Sequence, residues 1–232
     1  MCAWRARSST VSGWSSRSSA QGSNPARGLG LSGWHPTAGT RAAGEVSRRR
    51  RGGRRLRYTG GRLEYLDGAP PILPWPFPAP VGARMVIGEF TMADVVTIPR
   101  HLSIPEVRTY MTVEAAEDLS APDTPAPAAA DERGRSAQTF LVDVIVRSGG
   151  EQRRAAASGQ DIYAVSAPLA VEAIRRVLGG QTRTTGVASP GEMFDAADFL
   201  GALSRHISVE LYASPDAGAD DGRGPAALRD GA

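Results

Sequence analysis

Few residues in this 232-residue chain have both the type and the spacing to do chemistry. The most suggestive spacing is Gly28-Leu-Gly30-Leu-Ser-Gly33, which satisfies G-x-G-x-x-G. In a dinucleotide site such a loop lets backbone approach a pyrophosphate at a helix N-terminus, with a strand before it and an acid about 20 residues on. Here SSAQGSNPAR precedes the loop and WHPTAGTRAAG follows it, so neither neighbour is present, and the expected acid falls among Gly52, Gly53 and Arg54. Nine glycines in residues 1–57 make a chance match easy. The run Ser47–Arg57 holds seven arginines, enough to neutralise phosphates. It has no interleaved aromatics and no folded partner, and it reads as a solvated basic tail rather than a nucleic-acid arm.

The remaining candidates favour structural roles. His35, His101 and His206 form no cluster at metal spacing, and suit loop hydrogen bonds or helix C-terminal charge. Asp195 and Asp198 resemble a catalytic carboxylate pair, but their spacing is that of a helix cap and a first-turn charge. Asp131, Glu132, Arg133 and Arg135 make a mixed-charge loop. Asp161 and Tyr163 precede a helix, where side chains can face a cleft. No residue is assigned as catalytic, cofactor-binding or metal-ligating.

Charge separates two regions. Residues 1–57 carry twelve arginines and one acid, Glu45; with a chain total of +3, residues 58–232 carry −8. All 27 basic residues are arginine, which points to a GC-rich coding sequence. The front is Ser/Gly/Arg-rich without hydrophobic period, and reads as disordered or as a frame-shifted or mis-started translation. The single cysteine, Cys2, allows no disulfide framework within the chain. With no apolar run of membrane-span length and no secretory signal, a cytoplasmic protein is expected.

From Tyr58 the pattern becomes that of a fold. Strands are expected at RLEYL (62–66), RMVIG (84–88), DVVTI (94–98) and EVRTYMTV (106–113), with an extended proline-rich connector from Ala69 to Pro80. Residues 119–136 read as a polar loop. TFLVDVIVRSGGEQRRAAASG spells a hairpin about Gly149–Gly150, with a first strand apolar on both faces. A helix near 165–179 follows, with Ser166 as N-cap and Pro168 in its first turn. It places Ala170, Val171, Ile174, Val177 and Leu178 on one face, and Glu172, Arg175 and Arg176 on the other. A capping box at Ser189–Glu192, a helix from about 196 to 205 capped by Asp195, and a strand at 206–212 complete residues 58–213. Residues 214–232 read as a disordered tail. The expected class is α/β of the α+β kind, a sheet with an antiparallel hairpin plus two or more C-terminal helices.

Four blocks carry a resemblance: GEFTMADVVTIPRHL (88–102), GRSAQTFLVDVIV (134–146), SGQDIYAVSAPLAVEAIRRVL (158–178) and GVASPGEMFDAADFLGALSRHISVEL (186–211). Together they resemble the C-terminal part of saccharopine-dehydrogenase-like oxidoreductases of actinobacterial type. The resemblance implies a substrate and dimerisation region of an NAD(P)-linked enzyme, without a complete Rossmann half and inactive alone. The implied partner is a complementary Rossmann domain or a second copy in a homodimer, with no specific nucleic acid and no membrane. It also implies that the apolar faces of the helices at 165–178 and 196–205 are bare when the Rossmann half is absent. No cofactor residue of the family transfers to a position here. The alternative expectation is a small interaction or dimerisation module without catalysis.

Overall fold

The computed structural model describes residues 54–120 and 128–212. The expectations of disorder at the front and in the tail, the glycine pattern at 28–33, His35 and Arg48–Arg51 lie outside the described residues.

The described chain opens with an antiparallel hairpin of β1 (Arg55–Thr59) and β2 (Arg62–Leu66), turned at Gly60–Gly61. The boundary expected at Tyr58 therefore falls inside β1. Arg55 and Arg57 belong to the fold because acids face them: Arg55 pairs with Glu89 at 2.9 Å, and Arg57 pairs with Glu64 at 2.9 Å and Glu89 at 3.3 Å.

A second sheet orders β3 (Ile72–Pro76), β4 (Ala83–Gly88) and β5 (Tyr110–Thr112), all antiparallel. The proline-rich connector thus contains a strand. β3 tolerates Pro74 and Pro76 because it lies at the sheet edge. DVVTI is not a strand but contains α1 (Asp94–Thr97). Its β-branched residues favour a strand locally, but burial on one helical face outweighs that preference. Val95 and Ile98 are both buried three residues apart, the spacing of a helical face, while Val96 is exposed. EVRTYMTV is likewise split. Val107 makes an isolated bridge to Tyr58, β5 lasts three residues, and α2 (Val113–Ser120) takes over, so helix occupies the start of the expected 119–136 loop. The Thr112 hydroxyl accepts the Ala115 N–H at 3.4 Å and helps start that turn.

The third sheet orders β6 (Thr139–Ser148), β7 (Glu151–Gln160) and β8 (Ser208–Tyr212). Gly149 and Gly150 adopt φ 59° and 86°, the two positive values that a two-residue primed turn requires. Residues Thr139–Ser148 pair in unbroken register with Gln160–Glu151. Every named strand pair among the described residues is antiparallel.

β6 is covered on both faces. Leu141 and Ile145 pack with Trp75, Phe77 and Val86 of the second sheet and its turn. Phe140 packs with Val165, Phe194, Phe199, Leu200, Leu203 and Ile207, while Val142 and Val144 also meet Val95, Ile98 and Val107. The hairpin is the middle layer between a sheet and a set of helices, an α+β arrangement.

Those helices are α3 (Ile162–Leu178), α4 (Pro190–Met193) and α5 (Ala196–Ala202). α3 starts four residues before the expected cap. Asp161, not Ser166, is its N-cap, accepting the N–H groups of Tyr163 and Ala164, so Pro168 falls in the second turn. Pro190 begins α4, where Glu192 accepts the Ser189 N–H at 2.7 Å, and Asp195 caps α5. α3 also faces inward with its charged side. Glu172 and Arg176 are buried, while Val171, Ile174 and Leu178 are 56%, 57% and 82% exposed. Arg176 is satisfied there by Glu172 at 2.7 Å and Asp198 at 2.6 Å, and its guanidinium lies 5.3 Å from the Phe199 ring centre. The bare apolar face expected of α3 is present. That of α5 is not, because Phe199 and Leu200 are buried.

Candidate functional site

The site begins with an acid inside an apolar strand. Asp143 has no exposed surface. A buried carboxylate is costly unless paired and hydrogen-bonded, and Asp143 is both. Arg154 on β7 donates to it twice, Nε and Nη2 each at 2.8 Å, and the Trp75 indole N–H donates at 2.8 Å. The same Arg154 Nη2 donates to the Pro76 carbonyl. In the hairpin register Asp143 sits opposite Ala156, and Arg154 sits opposite Ile145, so the pair is a diagonal cross-strand pair.

From this clamp the contacts continue outward. The Arg154 guanidinium lies 5.8 Å from the ring centre of Tyr212 on β8, and the Tyr212 hydroxyl donates to Glu210 at 2.6 Å. The Glu210 carboxylate accepting that proton, with some burial, raises the Tyr212 hydroxyl above its ordinary pKa and keeps it a donor.

Glu210 and Tyr212 line one side of a groove of about 350 Å³. Pro80 and Val81 line it from the turn between β3 and β4, Arg84 from β4, Thr112 from the end of β5 and Glu114 from the start of α2. Its bed is Phe140, Leu141 and Ala156. That volume lies in the range of small-molecule sites, as does an apolar bed with a few polar groups on the rim. Arg84 offers a cation and Glu114 and Glu210 offer anions. The arrangement suits binding and orienting a small polar molecule with an apolar body. A second recess, of about 100 Å³, lies between β1 and residues 106–109. Its charges already face one another: Arg108 pairs with Glu106 at 2.8 Å and Arg57 with Glu89.

The residues singled out from sequence do not converge on the groove. His101 donates its Nδ1–H to the Thr97 carbonyl at 3.0 Å and packs against Gly191 so closely that a Cβ there would stand 2.5 Å from the ring. His206 is exposed beyond the end of α5. Asp195 caps α5 and pairs with Arg183, and Asp198 pairs with Arg176. Asp131 folds its own loop, accepting the Arg133 and Arg135 N–H groups at 3.0 Å and the Arg135 Nε at 2.7 Å. Chiefly the Arg135 backbone bond holds its carboxyl below the ordinary value. Glu132 is exposed. Asp161 is a latch rather than a cleft residue: besides capping α3 it accepts the Ser136 N–H at 2.7 Å. Tyr163 is exposed and its hydroxyl is pushed up, by burial first and the Asp161 charge second.

Asp143, Arg154, Glu210 and Tyr212 were missed. Two signals point to the first pair: an acid amid TFLVDVIV, and a double-glycine turn that sets which β7 residue lies diagonal to it. Nothing local marks Glu210 and Tyr212, whose role depends on β8 joining the far side of β7. Among the described residues no group of three or more His, Cys, Asp or Glu side chains is placed to hold a metal, and no helix is long and apolar enough to cross a membrane. No family model matches the sequence, and no curated protein matches it.

Proposed function

We propose that residues 55–212 are the substrate-binding and dimerisation part of a saccharopine-dehydrogenase-like NAD(P)-linked oxidoreductase of the cytoplasm. The groove receives the substrate. The nucleotide is held by a Rossmann partner, and this part transfers no hydride alone. The observation that supports it most is the groove itself: an apolar bed, Arg84 and two carboxylates on the rim, and a wall anchored through Tyr212 and Arg154 to a buried acid. Such a wall orients a substrate, while hydride transfer also needs a cofactor held against it. In doubly wound dinucleotide folds the pyrophosphate rests on backbone N–H groups at a helix N-terminus beside a parallel sheet, the element the Rossmann partner would supply.

Titrating the protein with NADPH while following nicotinamide fluorescence is the direct test. The expected result is no saturable binding by the chain alone, and binding restored when a Rossmann domain of a saccharopine-dehydrogenase-like enzyme is added. Micromolar binding by the chain alone, abolished by Gly30→Val, would show that the glycine pattern is a working cofactor loop. A second reading, a small interaction or dimerisation module without catalysis, is favoured by the bare face of α3. Under it, the added Rossmann domain neither associates nor restores binding.

A further inference from the structure

We propose that the groove between the second and third sheets takes an organic cation: an amine with an apolar body and no carboxylate of its own, its ammonium held by Glu210. The inference rests on the reading of the groove as the ligand site and adds the class of ligand. Its basis is an unequal charge balance on the rim, where one guanidinium, Arg84, stands with two carboxylates, Glu114 and Glu210. Arg84 is exposed, and its Nη1 donates to the Ala83 carbonyl at 2.9 Å. Among the described residues neither Arg84 nor Glu114 makes an ion pair, and the Glu210 carboxylate bonds only to the Tyr212 hydroxyl. Arg154, behind Tyr212, adds no free charge, because its Nε and Nη2 both donate to Asp143 at 2.8 Å. Whichever carboxylate Arg84 offsets, one negative charge is left beside an apolar bed.

Glu210 differs from an ordinary surface acid in being oriented. Tyr212 lies two residues along β8 on the same face, and its hydroxyl donates to Glu210 Oε2 at 2.6 Å. The Tyr212 ring lies 5.8 Å from the Arg154 guanidinium, which is fixed by the fully buried Asp143. The carboxylate is thus held through three side chains to an anchor inside the core, with Oε1 left for a further donor. An ammonium can make a charge-assisted bond there without first ordering a mobile side chain. Leu141 and Ala156 in the bed, with Pro80 and Val81 on the opposite wall, receive the apolar body. An anion would set its charge against two carboxylates for one guanidinium. An amino acid would gain the same ammonium contact but bring its own carboxylate toward the surplus negative charge.

Four probes of similar shape and different charge test the assignment: phenethylamine, phenethyl alcohol, hydrocinnamate and phenylalanine. Each is titrated at millimolar concentration into the isotope-labelled full chain at neutral pH while backbone amide shifts are followed by NMR. The expected result is that phenethylamine moves the amides of Ser158, Glu210 and Tyr212 and binds about tenfold more tightly than the other three. Glu210→Gln should lower the affinity for phenethylamine by about the same factor, with the thermal midpoint unchanged because the side chain is exposed. Arg84→Met, which removes the one rim cation, should raise it. Equal or tighter binding of the alcohol, hydrocinnamate or phenylalanine at those amides would overturn the proposal and leave the groove standing as a site for another class of ligand. Phenethylamine binding that is unchanged in Glu210→Gln would overturn it as well. Four probes that move no groove amide would overturn both this inference and the reading of the groove as a ligand site.

Discussion

The two faces of the β6–β7 hairpin are built on different principles. Toward the helices the contact is dry: Phe140 meets Phe194 and Phe199, whose rings stack at 5.0 Å, with Leu200, Leu203 and Ile207 around them. Toward the second sheet the contact is also apolar, with Trp75, Phe77 and Val86 against Leu141 and Ile145. Here, however, Asp143 stands in the middle of it, bonded to Trp75 and Arg154. Apolar burial has no direction and tolerates sliding. A carboxylate bonded at once to an indole N–H on β3 and a guanidinium on β7 fixes where one sheet sits on the other. The helix face supplies area, and the sheet face supplies area and position. Position matters on the side where the groove lies, because its two walls come from the two sheets.

The comparison breaks most visibly through its largest side chains. Phe199→Ala should cost about 3–5 kcal/mol, the usual range for emptying a buried phenylalanine site, read as a lowered urea midpoint with unchanged slope. Asp143→Ala should cost nearly as much for a different reason: it leaves the Arg154 guanidinium unpaired and the Trp75 N–H without an acceptor, about 3–5 kcal/mol for a broken buried pair. The double change Asp143→Leu with Arg154→Met distinguishes the causes. It should recover the part of that loss owed to the unpaired guanidinium, since matched apolar replacements of a buried pair are close to neutral, and leave about 1–3 kcal/mol for the Trp75 N–H that still lacks an acceptor. Recovery in both stability and the binding of a groove ligand would show that the clamp positions nothing.

Gly159 gives a smaller effect at a point where β6 and the segment before β8, its neighbours in the sheet, press on β7. A Cβ there would stand 2.8 Å from the Phe140 ring and 2.8 Å from the His206 carbonyl oxygen. Gly159→Ala should therefore cost about 1–3 kcal/mol as overpacking. An unchanged urea midpoint would show that the His206 segment yields, and that the dry face is looser than its packing suggests.

Much of this was legible from the sequence where local chemistry decides. Gly149–Gly150 forces the hairpin and its register, and the apolar run at 139–146 on both parities announces a strand covered twice. Pro190 and Asp195 mark helix starts by hydrogen-bond logic that needs no distant partner. The failures are those of tertiary override. DVVTI has strand propensity, yet Val95 and Ile98 bury on one helical face. In α3 the apolar stripe was legible but its orientation was not, because Glu172 and Arg176 are drawn inward by Asp198 and the Phe199 ring, 22 and 23 residues beyond Arg176. The groove was the least legible part, since Arg84, Glu114 and Glu210 come from three elements that only the packed sheets bring together.

The smallest effect concerns the latch joining the hairpin to α3. Asp161 holds φ 54°, a left-handed conformation that Asp and Asn tolerate better than most residues, while its carboxylate accepts three N–H groups. Burial would raise its pKa, but the N–H donors, Ser136 foremost, outweigh burial and lower it. Asp161→Ala should cost about 1–2 kcal/mol through the lost cap, with the unfavourable φ adding to it. Asp161→Asn keeps the tolerated backbone and one acceptor, and should cost less. The pH dependence separates charge from shape. Because the folded carboxyl titrates below the unfolded value of about 3.9, the charge contributes fully above that value and is lost as pH falls through the folded pKa. The stability gap between wild type and Asp161→Asn, measured by urea unfolding, should therefore be constant from pH 7 to about 5 and close below about 4. Taking the difference between the two proteins cancels other depressed carboxyls such as Asp131, Glu192 and Asp195. A gap that stays the same at pH 3 would mean that the latch works by acceptor geometry alone.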